Sequence, residues 1–197
     1  MQKALIYLHG FNSSPQSEKA RLTQAFLEQN AALRVFVPAL PAAPLEAIKT
    51  IHQLVGELGQ ENVLGFIGSS LGGFYSLYLQ RFYTTAQCQP KLVLINPAIR
   101  PYELLLDYLG ENQNMYTGER YYVEQSHMAD LQSLVVEPEM SSRSVYLLTQ
   151  THDEVLDFQQ AVSLLRGARM WIQAGGSHAF EGYSGVLPSI LSFLLYD

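Results

Sequence analysis

The sequence predicts an α/β protein built on a doubly wound, mostly parallel sheet of about six strands, and three observations predict it. Short, nearly continuous apolar runs recur at 3–8, 34–37, 62–68, 91–96, 144–149 and 169–173. Runs of that kind suit strands covered on both faces, as in a parallel sheet. Segments with helical spacing lie between them, the rhythm of βαβ units. At the end of the third run, Gly68-Ser69-Ser70-Leu71-Gly72 sits where a strand should hand over to a helix. A chain of 197 residues is expected to fold as one domain, 1–197, burying roughly 70% of its unfolded surface without covalent staples.

Along the chain, the first run, Ala4-Leu5-Ile6-Tyr7-Leu8, ends on His9-Gly10 and a loop reaching Pro15. Leu22, Ala25 and Phe26 then form a helical stripe, and after the second run so do Leu45, Ile48, Ile51, Leu54, Val55 and Leu58. The third run, Val63-Leu64-Gly65-Phe66-Ile67, leads through the serine turn into the helix-compatible stretch 74–79. The fourth ends on Asn96-Pro97. Val155, Phe158, Val162 and Leu165 make a stripe after the fifth run. Val186, Leu187, Ile190, Leu191, Phe193 and Leu194 make an apolar terminal helix after the sixth.

One interval breaks the rhythm. Residues 97–143 are far longer than a simple crossover needs, and they hold Tyr102, Tyr108, Tyr116, Tyr121 and Tyr122. They are read as a helical insertion, either extra helices packed on the edge of the domain or a cap over a pocket. The tyrosines, with Met115, Met128 and Met140, suit an apolar acyl pocket and suit plain packing equally well.

Composition excludes several classes. A net charge of −6 argues against nucleic acid or anionic membrane as partner, since both need clustered Lys and Arg. The single cysteine, Cys88, rules out an internal disulfide framework and reads as a packed or half-exposed thiol rather than a nucleophile. The first apolar run is too short for a signal-peptide core, and no stretch approaches 18 consecutive apolar residues. A cytoplasmic protein without a membrane span is the expectation. Neither H-E-x-x-H, H-x-H nor G-x-G-x-x-G occurs, so no metal and no cofactor are expected.

The chemistry is carried by Ser70. In a G-x-S-x-G turn between strand and helix, the serine adopts a strained backbone, and the flanking glycines remove side chains that would crowd it. A bare glycine-rich turn is the bland alternative, and the strand before and helix after favour the nucleophile. A serine hydroxyl needs a base. Of five histidines, His52 reads as a surface residue of an amphipathic helix, His127 as a capping or pocket residue of the insertion, and His9 as the end of the first strand. His178, in Gly175-Gly176-Ser177-His178-Ala179-Phe180, follows the last run. In a parallel sheet, strand C-termini converge on one edge, so the loops after the third, fifth and sixth runs bring Ser70, Asp153 and His178 together. Asp153, nearest the strand end in Thr151-His152-Asp153-Glu154, is the carboxylate chosen to orient the imidazole. It could also serve as a helix N-cap, with Glu154 and Asp157 in the first helical turn near the positive end of its dipole. For an oxyanion, the Leu71 amide at the start of the following helix and the Phe11 amide of the His9-Gly10 loop are the expected donors. His9 would position that loop, while Ser13 and Ser14 could instead be N-caps for a helix beginning near Pro15.

Six motifs together resemble one group. They are His9-Gly10-Phe11-Asn12-Ser13-Ser14-Pro15, Gly68-Ser69-Ser70-Leu71-Gly72-Gly73 and Asn96-Pro97-Ala98-Ile99-Arg100-Pro101, then Tyr116-Thr117-Gly118, Asp153-Glu154-Val155-Leu156-Asp157 and Gly175-Gly176-Ser177-His178-Ala179-Phe180. Over nearly its full length the chain is similar to the YqiA-like small bacterial esterases of the α/β-hydrolase superfamily. The resemblance implies an α/β-hydrolase sheet beginning at the superfamily's third strand. It implies Ser70, Asp153 and His178 as a triad, and an acyl ester or acyl-CoA thioester as the small-molecule substrate. His152 departs from the pattern, which has glycine before the acidic residue. Two functions follow as expectations: a serine hydrolase working through an acyl-enzyme, and a non-catalytic protein of the same fold that binds a ligand or partner beneath the insertion.

Overall fold

The six apolar runs become six parallel strands in the computed structural model, which describes residues 2–86, 88–137 and 143–196. They are β1 (Lys3–Leu8), β2 (Leu33–Phe36), β3 (Val63–Ser70), β4 (Lys91–Pro97), β7 (Val145–Gln150) and β8 (Arg169–Gln173). Two further strands, β5 (Gly110–Gln113) and β6 (Arg120–Val123), lie apart from them in a small hairpin. The order across the sheet is β2-β1-β3-β4-β7-β8, every pairing parallel. Successive residues point to opposite faces, and both faces are covered. Leu5, Tyr7, Ile67, Val93, Ile95, Tyr146 and Leu148 meet α1 (Glu18–Leu27) and α7 (Tyr183–Tyr196). Ile6, Leu8, Phe66, Leu92, Leu94 and Leu147 meet α2 (Pro44–Leu58), α3 (Leu71–Tyr83) and α6 (Phe158–Leu164). This double coverage is why the runs are apolar throughout rather than alternating. Within this sheet, among the described residues, only the outer strand β8 leaves large apolar side chains open, Trp171 at 43% and Ile172 at 46% exposure.

Two helical faces differ from the sequence expectation. In α1 the buried positions are Ala20, Thr23 and Leu27, while Ala25 is exposed and Leu22 and Phe26 are half-buried. Thr23 qualifies for the core because its hydroxyl is satisfied there, donating to the Lys19 carbonyl at 2.7 Å and meeting the Tyr183 hydroxyl at 2.7 Å. α6 starts at Phe158, with Asp157 as its N-cap accepting the Gln159 N–H at 2.9 Å. Val155, Glu154 and Asp157 therefore precede the helix instead of opening it.

The insertion is not purely helical, which corrects the expectation for 97–143. α4 (Pro101–Leu104) and a short 3-10 turn (Leu105–Tyr108) lead into the antiparallel hairpin β5 (Gly110–Gln113) and β6 (Arg120–Val123), and α5 (Gln125–Ser133) follows. Glu-Asn-Gln and Arg-Tyr-Tyr-Val carry too little apolar alternation to announce strands. What makes the hairpin is its turn: Asn114 Oδ1 accepts the Tyr116 and Thr117 N–H groups at 2.8 and 3.0 Å, and Gly118 takes a positive φ of 72°. From α5, Met128 and Leu131 are buried in the core on the α2–α3 face. Met115 is 79% exposed at the hairpin tip, and Met140 lies outside the described residues. Among the described residues no helix is long and apolar enough to cross a membrane.

Candidate active site

β3 ends at Ser70 and α3 begins at Leu71, with nothing between them. Ser70 turns the chain at φ 54°, ψ −122°, a conformation costing a non-glycine residue on the order of 1–3 kcal/mol and held only where the surroundings fix it. The Ala98 N–H donates to the Ser70 carbonyl at 3.0 Å, pinning the turn to the end of β4. A side chain at position 68 would strike the Gly72 carbonyl and the Ser76 hydroxyl, and one at 72 would strike the Leu8 carbonyl. The two glycines thus let the helix start hard against the sheet and leave Ser70 standing at its C-terminal edge.

Three loops on that edge meet there. Ser70 Oγ lies 3.1 Å from His178 Nε2, and His178 Nδ1 lies 2.9 and 3.1 Å from the two Asp153 carboxylate oxygens. The Asp153 side chain is 1% exposed and that of His178 24%. With Nδ1–H donating to the carboxylate, Nε2 is left as an acceptor for the Ser70 hydroxyl. Asp153 does not cap α6, whose N-cap is Asp157; in the turn before that helix its Oδ1 also accepts the Val155 and Leu156 N–H groups at 2.9 and 2.8 Å. That second task fixes the carboxylate before histidine needs it. His152, exposed beside it, donates its backbone N–H to the Gly175 carbonyl at 3.1 Å. It is not among the positive-φ residues described, so the turn has no need of glycine at that position.

Two buried amides that sequence reasoning passed over hold the histidine loop. Asn96 Nδ2 donates to the Ser177 and His178 carbonyls at 3.0 and 3.2 Å, and its Oδ1 accepts the Gln150 N–H at 3.0 Å. Gln150, fully buried, accepts from the Ser177 and Glu181 N–H groups at 3.0 and 2.9 Å and donates to the Glu181 carbonyl at 2.8 Å. The available signal was a polar residue closing each of two apolar runs. On the outside, Glu154 Oε2 accepts the His178 N–H at 2.9 Å, and that hydrogen bond leads the causes holding its carboxyl below the ordinary range.

The loop after β1 packs against Ser70 from the other side. A Cβ at Gly10 would stand 3.0 Å from that of Ser70, so a side chain there would have to push one of the two aside by a few tenths of an ångström. His9 is buried, with Nδ1 3.0 Å from the Gly10 carbonyl and Nε2 accepting the Leu40 N–H at 3.2 Å. Burial lowers its pKa, partly offset by the Gly10 hydrogen bond. The neutral ring is therefore a loop brace with both nitrogens occupied. Ser13 and Ser14 are not helix caps, because α1 starts only at Glu18; Ser14 Oγ instead accepts the Gln16 N–H at 3.0 Å. Neither Phe11 nor Leu71 donates its backbone N–H to a protein acceptor among the described residues. A cavity of about 190 Å³ opens between this loop and His178, with Ser70, Lys19, Met115 and Tyr116 in its wall. A second, of about 170 Å³, lies behind the loop against Leu71, Tyr75, Asn114 and Tyr121.

The remaining candidates fall outside this group. His127 completes a capping box with Glu124 at the start of α5. His52 is half-buried rather than on the surface, its Nδ1 2.6 Å from the Tyr83 hydroxyl amid Tyr78 and Phe82. Cys88 is exposed. Among the described residues no group of three or more His, Cys, Asp or Glu could hold a metal ion.

Comparison with known proteins agrees with this architecture. Est1E from Butyrivibrio proteoclasticus superposes with a TM-score of 0.73 at 14% identity, covering 98% of this chain and 87% of its own. The esterase domain of a Rhodothermus marinus protein gives 0.68 at 16% identity, covering 98% and 87%. The mouse alpha/beta hydrolase domain-containing protein 10 gives 0.68 at 15%, covering 98% and 89%. At such identities the likeness establishes the fold, and the fold is that of the α/β-hydrolases. A family model described as an uncharacterised protein family, UPF0227, matches residues 4–195.

Proposed function

The chain belongs to the UPF0227 family, and from that membership and the geometry around Ser70 we propose that it is a serine hydrolase of carboxylic acyl esters, acyl thioesters included. The observation that carries this reading is the continuous hydrogen-bonded line from Ser70 Oγ through His178 to Asp153, at 3.1 and 2.9 Å. The esterases among its structural neighbours support it.

In this reading the Ser70 hydroxyl attacks the substrate carbonyl while His178 Nε2 takes its proton. Asp153 holds the ring in the tautomer that leaves Nε2 bare and stabilises the imidazolium that forms. The developing oxyanion is met by the Leu71 and Phe11 N–H groups, each such donor being worth about 3–4 kcal/mol of barrier. His178 then returns the proton to the leaving alcohol or thiol. Water, deprotonated by the same nitrogen, releases the acid from Ser70. The cavity beside Ser70 sets the size of what enters.

The test is direct. A fluorophosphonate should label Ser70 in the folded protein, and Ser70→Ala should abolish hydrolysis of a short p-nitrophenyl ester with an unchanged melting temperature. Turnover in Ser70→Ala close to wild type would end the proposal, as would folded wild-type protein that neither labels nor hydrolyses. The latter result would favour a non-catalytic binding protein of this fold.

A further inference from the structure

The hairpin of the insertion touches the machinery at one loop. Asn114 Nδ2 donates to the Ser13 carbonyl at 2.8 Å, across a sequence separation of 101 residues. The other half of the same amide, Oδ1, holds the hairpin turn through Tyr116 and Thr117. The Asn114 backbone is itself paired, its N–H donating to the Glu119 carbonyl at 2.8 Å and its carbonyl accepting the Gly118 N–H at 2.9 Å. This side chain is therefore fixed at one end by a closed turn and grips the loop of residues 9–13 at the other. Two rings add to the grip. Phe11 meets Tyr108 edge-on at 5.1 Å and Tyr121 edge-on at 5.9 Å between centroids.

What these contacts grip matters for the reaction. Asn12, between the two gripped residues, sits at φ 53° with its side-chain oxygen buried and unpartnered. The Tyr121 hydroxyl beside it is likewise buried and unpartnered. Asparagine is among the few non-glycine residues that tolerate this left-handed backbone, but its unpartnered side chain does nothing to fix the loop, so contacts from outside hold it. The Phe11 N–H is one of the loop's backbone donors with no protein acceptor among the described residues.

We propose that Asn114, with Tyr108 and Tyr121, is a positioning device for the Phe11 N–H, so that the insertion completes the oxyanion site as well as walling the substrate cavity. This rests on the reading of Ser70 as nucleophile and Phe11 as oxyanion donor. An oxyanion donor acts only within hydrogen-bond reach of where charge develops, and a displacement near 1 Å costs up to about 100-fold in rate. A loosened loop should therefore lower kcat and leave KM nearly alone, because the ground-state carbonyl makes little use of the donor.

Two variants remove the link in complementary ways. Asn114→Asp keeps the turn acceptor and loses the donor to Ser13; Asn114→Ala loses both and adds no charge. Each should reduce kcat for a p-nitrophenyl ester about tenfold, within the range given by such displacements. KM should stay within twofold. Inhibition by a trifluoromethyl ketone, whose adduct with Ser70 carries the oxyanion, should weaken in step with kcat. Backbone amides of residues 10–13 should exchange hydrogen faster. Thr117→Ala, which removes only the Thr117 Oγ1 acceptor for the Glu119 N–H at 3.2 Å, should keep kcat within twofold. If Asn114 variants fold poorly, Tyr108→Ala carries the same expectation at smaller size. Wild-type kcat and unchanged loop exchange in folded Asn114 variants would overturn the positioning role and leave the hydrolase reading standing. A loss in Thr117→Ala as large as in Asn114→Asp would also overturn it, as general damage to the hairpin. Wild-type protein that hydrolyses no ester would instead overturn the hydrolase reading itself.

Discussion

The two loops that flank Ser70 are held in opposite ways. The histidine loop is tied from within: Asn96 and Gln150, both buried at the ends of central strands, hydrogen-bond the backbone of Ser177, His178 and Glu181. The loop after β1 is tied from without, by His9 beneath it and the insertion hairpin above it. In the proposed reading, the first arrangement makes the base part of the core, so that a change there threatens the fold. The second leaves the proposed oxyanion donor dependent on a peripheral element, so that a change in that element threatens the rate first.

Substitutions can break or sharpen that contrast. The largest effect is expected at Asp153→Asn, which keeps the acceptor for Val155 and Leu156 but favours the wrong imidazole tautomer. The kcat should fall about 10⁴-fold with a melting temperature close to wild type, and a loss under tenfold would mean that Asp153 is only a turn cap. Next, Gln150→Leu leaves two N–H groups and a carbonyl of the histidine loop without partners. It should cost about 3 kcal/mol of stability, read as a melting temperature roughly 6–12 °C lower; an unchanged melting point would deny the inner tie. The Asn114 variants come third, with their tenfold loss in kcat and an unmoved melting temperature completing the contrast.

Acid should act on the outer loop's brace. Burial lowers the pKa of His9, so the unfolded chain takes up that proton first. Its contribution to stability is whole above the ordinary histidine value of 6.5 and declines as pH falls below it. His52, shifted the same way by burial, adds to the slope. Calorimetry of His9→Asn between pH 7 and 5 should show a shallower decline than wild type, and an identical slope would remove His9 from the account. The smallest effect belongs to Glu154→Gln. Its acceptor for the His178 N–H is on an exposed residue, and kcat should stay within twofold.

Much of this was legible in the chain. The strands announced themselves because both faces of the sheet are covered, and the serine, acid and histidine because each follows a strand end on one edge. The lost parts share a cause. Asn96 and Gln150 matter through partners 81 and 31 residues away, and Thr23 enters the core only because Tyr183, 160 residues on, satisfies its hydroxyl. The hairpin escaped notice because its strands are held by a turn amide rather than an apolar face. Local periodicity registers burial well, and it has no means of registering a hydrogen bond whose other half is elsewhere.

The outer strand has a practical consequence for anyone measuring these effects. Trp171, the chain's one tryptophan, is half open to water on β8. It sits level with Leu148, which is level with Ile95, which is level with Ser69. Three strand spacings, roughly 14 Å, separate that indole from the strand that carries the serine. Its emission therefore reports on the sheet edge, out of direct contact with whatever occupies the cavity at Ser70.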